Sequence, residues 1–228
     1  MWFQHSPGIR REFPELAAGA LVANGITSSA DVKIDHLLAE ARLRLRDHSP
    51  AELDEIQAWR RTFAAMGLKP TQYRSAAESL LRRFAKEGEL PRIHPLIDLC
   101  NAASLAWAVP IAVIDVGRVA AWLEVRHADG TERYETFGGE TEHPAVGEVI
   151  FADADGYAHA RRWCHRQSGR SAVREGTTDV LIVAEALHES AAADVASLLT
   201  TLSDAVETAW SPPAQAALLT ATEPRIEF

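Results

Sequence analysis

The chain has 228 residues, a formal net charge of −9, 47% apolar and 24% charged residues, which is enough for one good-sized domain or a domain with a small appendage. Its two cysteines, Cys100 and Cys164, stand in unrelated contexts with no C-x-x-C pair, which argues against a disulfide framework and a thiolate zinc site and fits a reducing compartment. No apolar run is long enough to cross a bilayer, and the start lacks a basic-then-apolar leader profile, so the expectation is a soluble cytoplasmic protein with no membrane partner.

In chain order, the Ala/Val/Leu run at 16–26 reads as a buried strand, and 31–47 carries Ile34, Leu37, Leu38, Ala41 and Leu45 at helical spacing. Ser49-Pro50-Ala51-Glu52 is a helix start, with Ser as N-cap, Pro at the first position and Glu at the third, and that helix is expected to run to Met66. Pro70-Thr71 opens the next helix, which ends at Gly88, and a further helix covers 95–108. After Pro110 the pattern turns to strands at 111–115, 120–126, 132–137, 148–152, 157–162 and 179–186. Val116-Gly117-Arg118, Asp129-Gly130 and Asp153-Ala154-Asp155-Gly156 read as the turns between them. Residues 190–210 return to helix, and 213–228 read as a tail, mobile or lying on the surface. Helices first and strands after, without regular βαβ alternation, predict an α/β domain of the α+β type over 1–212: a mixed sheet flanked by helices, with an N-terminal helical segment.

Charge is unevenly placed. Residues 60–92 hold eight basic side chains against three acids, and 161–174 add five arginines with no acid. A basic face on an acidic protein and a set of ordinary solvated helix faces both fit this pattern.

The common catalytic signatures are missing: no glycine-rich phosphate loop, no Gly-x-Ser-x-Gly elbow, no His-Glu-x-x-His, and no histidine pair with metal spacing. No metal or cofactor is therefore expected. The polar residues Asp98, Asn101 and Ser104 are set in an otherwise apolar helix, where buried polar groups need partners, structural or ligand. His94 and Asp98, four apart, fit a structural pair. Gly138-Gly139-Glu140 places Glu140 either at a pocket edge or in a solvated turn. Arg161-Arg162-Trp163-Cys164-His165-Arg166 can stack on a base or clamp an anion, or it can be a core Trp with surface arginines. Arg74 and Ser75 stand near a helix start, where an anion is favoured, or they are an exposed charge and an ordinary helix residue.

In order and spacing, Met66-Gly67-Leu68-Lys69-Pro70, Arg74-Ser75, Glu78-Ser79-Leu80-Leu81-Arg82-Arg83, Leu90-Pro91, Leu96-Ile97-Asp98, Asn101, Ser104-Leu105, Pro110, Asp115, Gly147-Glu148-Val149, Asp153, Arg161-Arg162-Trp163 and Thr177-Thr178 form one pattern. This pattern resembles the tRNA-binding and editing domain, the third and fourth modules, of the phenylalanyl-tRNA synthetase beta subunit, above all its free-standing relatives. The likeness covers about residues 60–186. Within the synthetase this domain hydrolyses tyrosine wrongly attached to the phenylalanine tRNA, so the resemblance implies an aminoacyl pocket and an RNA-facing surface. Asn101 matches the family's Asp-x-x-Asn asparagine, which lines that pocket, and Pro110 matches the following proline. Cys100 stands where bacterial synthetases usually have Thr, and Ala112 where they carry a pocket His. Ala112 cannot move a proton, so the editing chemistry does not transfer intact, although a water positioned near the ribose hydroxyl can suffice; His94 and His165 are the candidate substitutes.

The expectation is a trans-acting aminoacyl-tRNA deacylase, with no catalytic residue assigned and with Arg74, Ser75, Asn101, Ser104, Glu140, Trp163 and His165 binding substrate. Its partners would be tRNA or aminoacyl-tRNA and a small amino-acid-like ligand. The alternative is a non-catalytic module that binds tRNA or an amino acid.

Overall fold

The computed structural model describes residues 1–228. Two strands and a short helix open the chain: β1 (Trp2–His5), α1 (Pro7–Glu12) and β2 (Ala17–Ala23). Four helices follow, α2 (Asp35–Arg44), α3 (Asp54–Ala65), α4 (Ala76–Glu87) and α5 (Pro95–Trp107). Then come β3 (Ile111–Asp115), β4 (Leu123–His127), β5 (Tyr134–Glu135), β6 (Thr141–Glu142), β7 (Val149–Asp153), β8 (Ala158–Arg161), β9 (Arg166–Gln167) and β10 (Val180–Ala186). The last elements are α6 (Ala191–Ala209), β11 (Gln215–Leu219) and β12 (Arg225–Glu227). No helix is long and apolar enough to cross a membrane.

The strands form a six-stranded sheet, β12-β1-β4-β7-β8-β9, a four-stranded sheet, β11-β2-β10-β3, and the small β5-β6 ribbon. β1 runs parallel to β4 and every other pair within the sheets is antiparallel, so the architecture is mixed α/β. Alternation along β10 separates the layers. Val180, Ile182, Ala184 and Ala186 pack with α5 and α6 on the helical side, while Leu181 and Val183 face the other sheet. β1 and β3 obey the same rule: Phe3 and Ile114 enter the core between the sheets, where Phe151 and Trp163 also lie. Each such large side chain contributes roughly 1.5–3 kcal/mol on burial. Gly19 on β2 lets α6 approach closely, because a Cβ there would stand 2.7 Å from Val195 and Leu199 side-chain atoms.

Several boundaries differ from the sequence expectation, each for a local reason. The Ser49–Glu52 capping box forms, but it closes only a 3-10 turn; Leu53 then goes extended to bury its side chain, and α3 restarts at Asp54. Pro70-Thr71 opens no helix: α4 begins at Ala76, where Ser75 accepts a hydrogen bond from the Glu78 amide. Val116-Gly117-Arg118 joins no hairpin, since β3 and β4 belong to different sheets and this segment carries the chain between them. The Asp129-Gly130 turn also fails to return a strand onto β4. Glu132, buried, is held by Arg126 and by the amides of Asp129 and Gly130, which directs the chain away so that β7 takes that edge. The C-terminal segment is no loose tail, because β11 pairs with β2 and β12 with β1. The opening β1 and α1 lie ahead of the first element expected from the sequence, the strand at 16–26.

Candidate functional site

The parity that sorts β10 puts Glu185 on the same face as Leu181 and Val183, so a carboxylate enters the apolar layer between the sheets. It is 2% exposed and receives two donors there: the Trp163 indole Nε1–H at 2.7 Å and the His5 imidazole Nε2 at 2.6 Å. Both bonds fall on Oε1, and Oε2 accepts none. Beside Glu185 lies a cavity of about 50 Å³ at the edge where the sheets meet. Pro110, Ile111 and Ala112 of the β3 end form one wall, Phe151, Ala160 and Trp163 the other, and Ala76 closes the helical end. Gln167 ties the two sheet edges together through a 2.6 Å bond from its Nε2 to the Val113 carbonyl.

Backbone strain aims the aromatic wall. Arg162 and Trp163 both have positive φ, +46° and +59°, a conformation that costs non-glycine residues roughly 1–2 kcal/mol each. Hydrogen bonds from the Arg162 amide to Glu148 and from the Trp163 amide to the Val149 carbonyl hold the turn. The indole is thereby driven inward, against the edges of Trp59 and Phe13.

The half-exposed His165 forms the solvent side of the cavity with Arg166. Its Nδ1 lies 2.7 Å from the Arg74 carbonyl, which can only accept, so Nδ1 carries the proton and Nε2 presents a free lone pair. Burial lowers the His165 pKa; the bond to the Arg74 carbonyl opposes it and the nearby Arg162 and Arg166 charges add to it, and the net direction is down, which favours the neutral ring at pH 7. Tyr73 meets His165 edge-on, and the Arg162 guanidinium covers Tyr73 at 4.6 Å. Cys164 also lines the cavity, but burial raises its thiol pKa well above the usual range, so it is no thiolate nucleophile.

A family model described as the B3/4 domain matches residues 58–211. The chain belongs to that family. The match agrees with the resemblance read from the sequence, and the chain is a relative of the B3/4 module of the phenylalanyl-tRNA synthetase beta subunit. Among solved structures, an N-terminal fragment of that subunit from Pyrococcus horikoshii is similar, with a TM-score of 0.47 and 10% identity over 90% of this chain and 47% of that one. The chain thus spans about half the length of that fragment. No curated protein matches the sequence.

Of the residues singled out from the sequence, the B3/4 fold brings Arg74, Trp163 and His165 to one place, Arg74 through its carbonyl. Ser75 is the N-cap of α4, next to the cavity-lining Ala76. Asn101 lies elsewhere, because α5 packs on the helical side of the four-stranded sheet; it lines a groove of about 210 Å³ with Arg42, Arg92 and Asp98. Ser104 is buried on the same helix and donates to the Val109 carbonyl at 2.7 Å, which closes the helix end. Glu140 is exposed on the β5-β6 turn. His94 and Asp98 do not bond each other: both cap the start of α5, His94 accepting from the Leu96 amide and Asp98 from the Ile93 amide.

The arginine-rich segments are largely paired. Arg60, Arg74 and Arg82 surround Glu78, and Arg161 bonds Glu142 and Glu148. Glu185 and His5 escaped sequence reasoning. Glu185 left one signal, a lone acid within Val-Leu-Ile-Val-Ala-Glu-Ala, whereas His5 left none.

Proposed function

We propose that this B3/4 protein is a cytoplasmic, trans-acting aminoacyl-tRNA deacylase whose aminoacyl pocket is the cavity beside Glu185. The observation that carries the reading is a neutral imidazole with a free Nε2, His165, lining the same small cavity as an acceptor carboxylate. Glu185 Oε2 would accept a hydrogen bond from the aminoacyl group, while His165 Nε2 takes the proton from a water attacking the ester carbonyl and returns it to the ribose oxygen as the acyl C–O bond breaks, freeing the amino acid and the tRNA hydroxyl. His165 thereby supplies the base that Ala112 cannot. A volume of about 50 Å³, well below the ~150 Å³ of a cavity that takes up benzene, suits a small side chain rather than an aromatic ring. Outside, Tyr73 and the Arg162 guanidinium offer a stacking surface and a cation to the tRNA terminus.

The test is a panel of mischarged tRNAs. Amino acid should be released from at least one carrying a small side chain, and His165→Ala should lower kcat at least tenfold with the fold intact. No release across the panel overturns the reading. If tRNA is bound with a steep salt dependence and no release occurs, the protein is instead a binding module.

A further inference from the structure

The family segment starts at residue 58, yet the carboxylate in the cavity is held from outside it. β1 places His5 on the inter-sheet face, two residues from Phe3, and its side chain is fully buried. Arg10 of α1 points Nη2 at His5 Nδ1 from 3.4 Å, and is itself fixed by the Leu16 and Leu219 carbonyls at 3.0 Å each. A guanidinium can only donate, so Nδ1 accepts and the imidazole proton sits on Nε2, aimed at Glu185 Oε1. The Trp163 indole donates to that same oxygen.

We propose that His5 is a positioning residue of the cavity: it and Trp163 clamp Glu185 by Oε1, so that Oε2 is the acceptor offered to the bound group. This rests on the reading of the cavity as the ligand site. A carboxylate held by one donor swings about that bond, whereas two donors converging on one oxygen fix the plane and leave the second oxygen directed. The groups facing His5 support a neutral ring. Arg10 from α1 opposes a second ring proton, Glu185 from β10 and Glu124 from β4 favour one, and burial, the largest influence, lowers the pKa. The functional unit in this chain is therefore larger than the B3/4 segment, and it takes in β1 and α1.

The experiment uses the full chain and two variants. His5→Phe keeps an aromatic ring and removes the donor; His5→Gln returns an N–H close to the Nε2 position. The first readout, independent of catalysis, is the Trp163 indole N–H resonance, assigned through Trp163→Phe. His5→Phe should move that resonance by several tenths of a ppm, and His5→Gln should leave it near its wild-type position. In the wild type the same resonance should shift as pH falls through the His5 titration. The second readout is deacylation, which should fall about tenfold in His5→Phe, mainly in KM, with recovery to within about twofold in His5→Gln.

An indole resonance indifferent to both variants and to pH overturns the proposal, as does a His5→Gln that behaves like His5→Phe. If His5→Phe fails to fold, the wild-type pH titration and His5→Gln still decide. If the wild type releases no amino acid, the deacylase reading fails alone and the indole readout still judges the clamp.

Discussion

Glu78 and Glu185 are both carboxylates at the edge of invisibility to solvent, with residue exposures of 1% and 2%, and they are treated in opposite ways. Around Glu78 the chain assembles three guanidiniums: Arg60 bonds both oxygens, at 2.6 and 3.0 Å, Arg82 adds a bond of 2.8 Å, and Arg74 stands at 3.5 Å. Burial pushes the Glu78 pKa up, but the bonds from Arg60 and Arg82 outweigh it, and the net direction is down. Glu185 has two donors, both on one oxygen and neither a permanent cation. A saturated buried carboxylate is architecture, whereas one left half-open beside a cavity has capacity for something else.

The largest effect should come from the saturated member. Glu78→Ala would leave three arginines crowded without their anion. It should cost about 2–3 kcal/mol in urea unfolding, below the 3–5 kcal/mol of a fully buried pair because the guanidiniums are partly exposed to solvent. Glu185→Gln should reverse the balance, with a stability loss of about 1 kcal/mol and a loss of deacylation of at least tenfold. A Glu185→Gln protein that unfolds as easily as Glu78→Ala would erase the distinction between the two sites.

Acid should separate the regions as well. Burial lowers the pKa values of His5, His94 and His165 below the ordinary 6.5, so the unfolded chain binds those protons first. Stability should therefore decline as pH falls from about 7 through the imidazole range. Glu78, Glu148 and Asp153, all held below the ordinary carboxylate range, keep their full contribution until pH drops below about 4.5 and lose it as pH falls through their folded values. Urea midpoints at half-unit pH intervals should show two descents, with His5→Gln flattening only the upper one. The smallest change is Arg82→Ala, below about 1 kcal/mol, because Arg82 is two-fifths exposed and Arg60 still holds Glu78 in a two-pronged grip.

What the sequence shows depends on how local the cause is. The 95–108 helix was legible from its flanking prolines and the 179–186 strand from its continuous apolar run, signals that act within the segment. The Ser6-Pro7 start of α1 carries an equally local cap signature. The bends read at 116–118 and 129–130 are present, but neither pairs the strands that flank it, because a turn motif specifies a bend and not the partner of the next strand. The same holds for the site. Trp163 and His165 could be named from one arginine- and aromatic-rich stretch, whereas the face occupied by Asn101 depended on which side of the sheet α5 would cover. His5 was illegible because its partner is 180 residues away.

That separation has a kinetic meaning. The bond between His5 and Glu185 closes a loop of 180 residues, and β1 is also the strand on which β12 is laid. Contacts of such long range cannot precede the segments between them without a large loop-closure cost. The helical layer, with its local contacts, can form early, and the cavity should be among the last parts of the molecule to acquire its shape. In refolding experiments the Trp163 environment should mature after helical ellipticity has recovered. A chain released before β12 is laid on β1 would hold its helices while the strand that carries His5 lacks one of its neighbours, which makes the cavity a report on whether folding has finished.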